Sequence, residues 1–183
     1  MVKTWLFPYQ CLLCKCRSDQ KRDLCSYCEK QLTDYKNRCA QCGLWLEETE
    51  AGICGHCLKF PPAFERVIVA SDYFPQSSYL LQQFKFHHRF AEGKVLAALL
   101  AQALKQNYQD SAWPDVIVPV PLHYKRLFSR GFNQALLLAK NLKLPIKIDY
   151  RLLKRVRHTP RQALLSGKRR RRNLKGHLSS LSP

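Results

Sequence analysis

The sequence predicts two joined units of unlike construction. Residues 1–60 form a small, β-rich cysteine module, and residues 64–183 form an α/β unit with a mainly parallel sheet. Three observations carry this division. All nine Cys lie within the first 57 of 183 residues. After residue 64, short β-branched runs alternate with apolar patterns of helical period. Charge also divides along the chain: residues 1–60 hold 9 basic and 7 acidic residues and residues 61–120 hold 5 and 5, but residues 121–183 hold 17 and 1. A hydrophobic content of 46% excludes a disordered chain. The longest uninterrupted apolar run, residues 95–101, is seven residues, and a membrane-spanning helix needs about 20. Residues 1–8 carry a Trp-Leu-Phe cluster but no apolar stretch of signal-peptide length. The expected location is therefore the cytoplasm, with no membrane insertion.

Eight Cys fall into four C-x-x-C pairs, Cys11/Cys14, Cys25/Cys28, Cys39/Cys42 and Cys54/Cys57. Ten residues separate the first two pairs and eleven the last two, an internal repeat of about 28 residues. A C-x-x-C turn aims both sulfurs at one point, and a second turn returning after a short excursion closes a tetrahedron. That is the closed thiolate set of a structural zinc ion. A disulfide framework would need an oxidising compartment. A redox C-x-x-C normally occurs singly, and ferredoxin clusters draw three Cys from one tight run. Two zinc ions are thus expected, first pair with second and third with fourth. Cys16 is left as a spare thiol, and His56 as a neighbour rather than a ligand. Each four-thiolate site adds about −2 net charge, bringing the formal +18 to roughly +14. So short a segment cannot fold on its apolar residues alone, so the expected role of the metal is structural.

Past Pro61-Pro62 the pattern changes. Residues 66–74 (RVIVASDYF) read as a strand. Ser77 or Ser78 caps a helix carrying Leu80, Leu81 and Phe84, and residues 91–107 form a longer helix with Val95, Leu96, Leu99, Leu100, Ala103 and Leu104 on one side. Residues 116–120 (VIVPV) are a short apolar strand, residues 132–142 a helix and residues 146–148 another strand. Residues 152–172 form a basic stretch, partly helical with Ser166 as its cap. Continuous apolar strands between helices imply a parallel sheet covered on both faces.

In such folds ligands bind beyond the carboxyl ends of the strands. The strand at residues 116–120 empties into residues 121–134 (PLHYKRLFSRGFNQ), read as a loop rich in cations and amides before a helix N-terminus. That combination suits a phosphate group. A merely solvated basic loop is the competing interpretation, and the rigidity of Pro119-Val120-Pro121 argues against it.

Several segments together resemble the ComF family of competence-associated proteins, in which a double zinc ribbon precedes a type I phosphoribosyltransferase-like domain. They are the four C-x-x-C pairs, Pro119-Val120-Pro121-Leu122-His123, Arg130-Gly131-Phe132-Asn133-Gln134-Ala135, Leu152-Leu153-Lys154-Arg155 with Thr159-Pro160 and Gln162, and Arg171-Arg172-Asn173-Leu174. The resemblance covers the whole chain. It implies that residues 122–131 receive a pyrophosphate, with His123, Arg126 and Arg130 as contacts beside Gly131, Asn133 and Gln134. It also implies a mobile basic loop over residues 155–172, contributing Thr159, Gln162 and Arg172. Its ligand would be phosphoribosyl pyrophosphate or pyrophosphate, with Mg²⁺ only in the case of transfer. No catalytic residue is assigned.

Family members continue into a strand that ends in two adjacent Asp and a Thr-Thr-Gly turn, which grips the ribose 5-phosphate. The sequence stops at Pro183 before such a motif, and after Asp149 it contains no carboxylate. The expectation is a truncated relative with a vestigial anion loop, inactive in phosphoribosyl transfer as this polypeptide alone. The expected function is an accessory role in competence and DNA uptake, with single-stranded DNA and other competence proteins as partners. The alternative is a phosphoribosyltransferase whose true chain continues past residue 183. A third reading is a degenerate domain without present activity. The basic C-terminal third suits a phosphate backbone, residues 168–172 (KRRRR) are either a contact or a solvated face, and Phe128 and Phe132 are read as core residues rather than base-stacking ones.

Overall fold

The computed structural model describes residues 8–33, 37–47, 52–159, 166, 169 and 176–180. Two compact units result, Met1–Ala112 and Trp113–Pro183.

The first unit opens with two copies of one cysteine motif. In each copy the chain makes a single antiparallel bridge around the first pair, Gln10 with Arg17 and Arg38 with Trp45. The residue after each first pair is left-handed, Lys15 at φ 65° and Gly43 at φ 71°. Its N–H returns to the carbonyl of the leading cysteine at 2.9 Å in both copies, Lys15 to Cys11 and Gly43 to Cys39. Each second pair leads into a helix, α1 (Ser26–Thr33) and α2 (Gly55–Lys59). The described ladder in the module amounts to those two bridges. Among the described residues the expected β-rich character is thus limited to these two bridges, and the cysteine turns do the rest.

Residues 66–74 form no strand, and the chain bends at Ala70 and Ser71. Val67 donates its N–H to Gln41 O at 2.8 Å, and Val67 and Val69 lie against Gly43. A Cβ on Gly43 would come within 2.8 Å of Val69 Cγ2. Arg38 donates to Gly43 O at 2.7 Å and pairs with Asp72. The β-branched residues thus lie along the second cysteine motif.

Helix α3 (Pro75–Phe86) starts earlier than Ser77. Pro75 is near its first position, and buried Ser77 accepts the Phe74 N–H at 3.0 Å, one half of a capping box. Helix α4 (Phe90–Asn107) forms where expected; of the expected apolar side Val95, Leu99 and Ala103 are buried and Leu96, Leu100 and Leu104 only partly, while Ala97 and Ala101 are buried as well. Between them His88 turns the chain at φ 55°. Leu80, Val95 and Leu99 form one buried cluster with Cys11, Leu24, Cys25, Cys28 and Leu32. The first cysteine motif is therefore part of the same core as the helix pair, whereas Cys39, Leu46, Cys54 and Cys57 form a separate small cluster.

In the second unit β1 (Val116–Ile117) pairs parallel with β2 (Lys147–Ile148). The expected strand over residues 116–120 is cut to two residues, because Pro119 and Pro121 have no N–H to give a ladder. Helix α5 (Tyr124–Arg130) replaces half of the expected loop, and α6 (Gln134–Asn141) is shorter than expected at each end. The basic stretch over residues 152–172 begins with a strand that was not expected: β3 (Leu153–Arg155) pairs antiparallel with β4 (Leu178–Ser180). Most of residues 160–175, including the segment Ser166 was expected to cap, lies outside the described residues.

Helices α3 and α4 meet at Gly93, where an added Cβ would lie 2.6 Å from the ring of buried Phe84. Gly93→Ala should therefore lower stability by about 1–2 kcal/mol, overpacking exceeding the gain in helix propensity. Gly55→Ala, which meets nothing within 4 Å, should stay within about 0.5 kcal/mol. Thermal unfolding of the two variants checks the difference.

Candidate metal centres and anion site

The Sγ atoms of Cys11, Cys14, Cys25 and Cys28 all lie within 4.8 Å of one another, as do those of Cys39, Cys42, Cys54 and Cys57. Four thiolates about 2.3 Å from a tetrahedral zinc ion must stand about 3.8 Å apart. The Cys14–Cys25 and Cys42–Cys54 pairs are each 3.7 Å apart. Both sets fit a structural zinc ion, with four sulfurs and no open position; the second set is largely buried, and the first has Cys14 exposed. His56 belongs to neither set and lies against the Phe60 ring at 5.5 Å. Cys16 is exposed, its sulfur facing Cys14 O at 3.8 Å.

The backbone prepares both sites for anionic sulfur. Cys28 N–H points at Cys25 Sγ at 3.5 Å, and Cys54 N–H at Cys39 Sγ at 3.3 Å. Burial opposes ionisation of Cys11, but N–H donors from Cys25, Cys14 and Leu13 outweigh it and bring this thiol down to about 6. At Cys39 the N–H groups of Cys42 and Cys54 dominate and bring it to about 6. Once one sulfur is charged the others resist. Burial and the neighbouring sulfurs push Cys57 up to about 12 and raise Cys28 strongly. A divalent ion removes that resistance, since it holds all four sulfurs as thiolates.

The second unit gathers cations. His123 is buried and caps α5, its Nδ1 accepting from Lys125 N at 3.4 Å. Arg126 donates to Thr159 O at 2.8 Å, and Arg155 donates to Thr159 Oγ1 at 2.6 Å. The His158 ring meets His123 edge-on, with centroids 5.2 Å apart. Burial holds His123 below the usual histidine range, reinforced by the charges of His158, Lys125, Arg155 and Arg126. Burial and Arg126 act against the Arg155 charge in the same way.

Of the residues expected at this site, His123, Arg126 and Thr159 come together. Arg130 donates to Gln134 Oε1 at 2.7 Å. Gly131, at φ 79°, terminates α5. Asn133 accepts from Ala135 N at 3.0 Å and donates to Val120 O at 3.1 Å, so it caps α6 and fastens the loop. Gln162 and Arg172 lie outside the described residues. Arg155 and His158 were not among the expected contacts. The signal that could have found them is the spacing Arg155, His158, Thr159, a strand end delivering two cations beside an expected contact. The two phenylalanines divide: Phe132 helps line an apolar cavity of about 460 Å³ with Leu136 and Tyr150, but Phe128 is 86% exposed. Its expected place in the core is corrected.

Residues 2–58 match the double zinc ribbon domain. The chain is 37% identical over 178 residues to competence protein F of Haemophilus influenzae, an alignment covering 94% of this chain and 77% of that protein. It is 36% identical over 156 residues to DNA utilization protein YhgH of Escherichia coli O157:H7, and 38% identical over the same length to YhgH of Salmonella typhimurium, each covering 83% of this chain and 68% of the relative. No solved structure gives a significant match.

Metal analysis of the purified chain should give two zinc ions. Cys28→Ser or Cys57→Ser should each reduce this to one, while Cys16→Ser and His56→Ala should leave two. Because the sulfurs bind zinc as thiolates, loading should release protons and acid should release the metal. Zinc content measured against pH checks both.

Proposed function

The chain belongs to the ComF family of competence proteins, and on that premise we propose that it is an accessory protein of natural competence and DNA uptake. It acts in the cytosol, on or near incoming single-stranded DNA. The names of its relatives, competence protein F and DNA utilization protein, support the process. The physical support lies in the second unit. Of the 18 net positive charges, 16 fall in residues 121–183, and helix α5 carries the exposed Phe128 together with Lys125, Arg126 and Arg130. Cations that follow a phosphate backbone, combined with rings that stack on bases, suit a single strand without reading its sequence. The zinc ribbons provide a rigid structural base, and other competence proteins are the natural further partners.

We read residues 64–183 as a phosphoribosyltransferase-like domain and residues 1–60 as the double zinc ribbon, with residues 64–112 packed in the same compact unit as the ribbon. The parallel pairing of β1 with β2 supports this, as does a cation cluster following β1 in the chain, the usual ligand position in α/β folds. The observation that carries the site is the convergence of His123, Arg126, Arg155 and His158 around Thr159. Like charges this close call for an anion, and pyrophosphate or the pyrophosphate of phosphoribosyl pyrophosphate fits. Arg130, Gly131, Asn133 and Gln134 then shape the loop, with Gln162 and Arg172 as further contacts. The same cluster favours phosphoribosyl transfer as a second reading. Its chemistry would be positioning of the leaving pyrophosphate, with Mg²⁺ accompanying it.

Pyrophosphate titrated into the zinc-loaded chain should bind, and Arg155→Gln should weaken it about 10-fold or more, the loss of one charged hydrogen bond. Lys154→Gln, which removes an exposed charge from the same strand, should change it little. A bound anion reverses the repulsion on His123, so affinity should rise, with proton uptake, as pH falls through the ordinary histidine range. In the ligand-free chain the sign is opposite. The unfolded state holds that proton more tightly, so stability should fall over the same interval. Calorimetry in two buffers of different ionisation enthalpy, on the wild type and on His123→Gln, reads both against the titration of pyrophosphate itself; an unchanged pH profile in the variant would remove His123 from the site.

A further inference from the structure

The turn between α3 and α4 belongs to the first unit and is used by neither the zinc sites nor the anion cluster. Its residues Lys85, Phe86, His87, His88, Arg89 and Phe90 are all exposed, six in succession. Phe86 is 48% exposed and Phe90 50%. Two half-exposed phenylalanines at a helical corner are costly to leave in water. His88 also holds the corner at φ 55°, a left-handed conformation uncommon outside glycine.

The charge around this corner has one sign. From Pro75 to Gln109 the sequence contains a single carboxylate, Glu92. Glu92 is 1% exposed and paired with Arg89 Nε at 2.9 Å, so it presents no negative surface. Lys85, Arg89, Lys94 and Lys105 are the cations of the same stretch, all exposed. Lys94 stands one turn beyond Phe90 on α4, extending the positive track. Lys85 Nζ lies 5.5 Å from the centre of the Phe86 ring, so cation and aromatic face already share one surface.

We infer that this corner is a second contact surface for single-stranded nucleic acid, with Phe86 and Phe90 stacking on bases while Lys85 and Lys94 meet phosphates and Arg89 stays with Glu92. The inference rests on the single-strand reading above and adds a surface in the other unit. Alternating rings and cations distinguish it from a purely electrostatic patch, which would need no exposed phenylalanine.

The test is fluorescence anisotropy of a fluorescein-labelled oligo-dT strand with the full zinc-loaded chain, and of a labelled duplex of equal length. Phe86→Ala/Phe90→Ala should weaken oligo-dT binding at least about fivefold, and the duplex much less. Phe86→Tyr/Phe90→Tyr should restore it, and Lys85→Gln should reduce the salt dependence. Zinc content and melting temperature verify that each variant is folded. Wild-type binding that the double alanine variant retains would overturn this inference and leave the single-strand reading standing. Equal losses on single strand and duplex would also overturn it. Failure of the wild-type chain to bind oligo-dT at low salt would overturn both. Loss of binding to phosphatidylserine vesicles without loss on oligo-dT would assign the corner to a membrane surface instead.

Discussion

Everything in the first unit depends on four sulfurs meeting at one point. Cys11, Cys14, Cys25 and Cys28 are a ligand set, and three of them are also part of the wall against which Leu80, Val95 and Leu99 pack. Thiolates brought together without a cation repel, which is why neighbouring sulfurs raise Cys28 and Cys57 while backbone N–H groups lower Cys11 and Cys39. A divalent ion turns that repulsion into the strongest constraint in the unit. The helix pair then needs no sheet to cover it, because the metal-closed turns supply one side of its core.

The two cysteine motifs are copies in backbone but not in surroundings. Lys15 and Gly43 occupy the same left-handed position. Lys15 bears the strain of a side chain there. At Gly43 the approach of Val67 and Val69 leaves no room for a Cβ. The repeat was plain from spacing alone, since a C-x-x-C turn has few geometries. Which copy would join the helical core was not, because that depends on packing that brings residues as distant as Leu99 into one cluster with Cys11.

Helix α4 was legible because eighteen residues of regular apolar period leave little choice. Helix α5 was not: seven residues, none buried, carry no periodic signal, and only Gly131 after its last turn marked the end. Residues 66–74 have strand composition, yet composition reports a preference for extended backbone and not the presence of a partner. The anion site was legible where it lies in one continuous segment, at His123 and Arg126. Arg155 and His158 join it through the chain returning after β2, a tertiary event. Phe128 shows the same limit from the other side, since an aromatic residue in a short helix gives no sign of which way it faces.

The division of the core also bears on how the chain assembles during synthesis. The second metal site has its sulfurs and its apolar neighbours Leu46 and Ile53 once Cys57 has been made, and Val67, Val69 and Asp72 complete its surroundings soon after. The first site has its sulfurs by Cys28, but its packing partners arrive only with Leu80, Val95 and Leu99. A nascent chain can therefore finish its second zinc motif while the earlier one remains open to solvent on one side. The order of translation and the order of closure run in opposite directions.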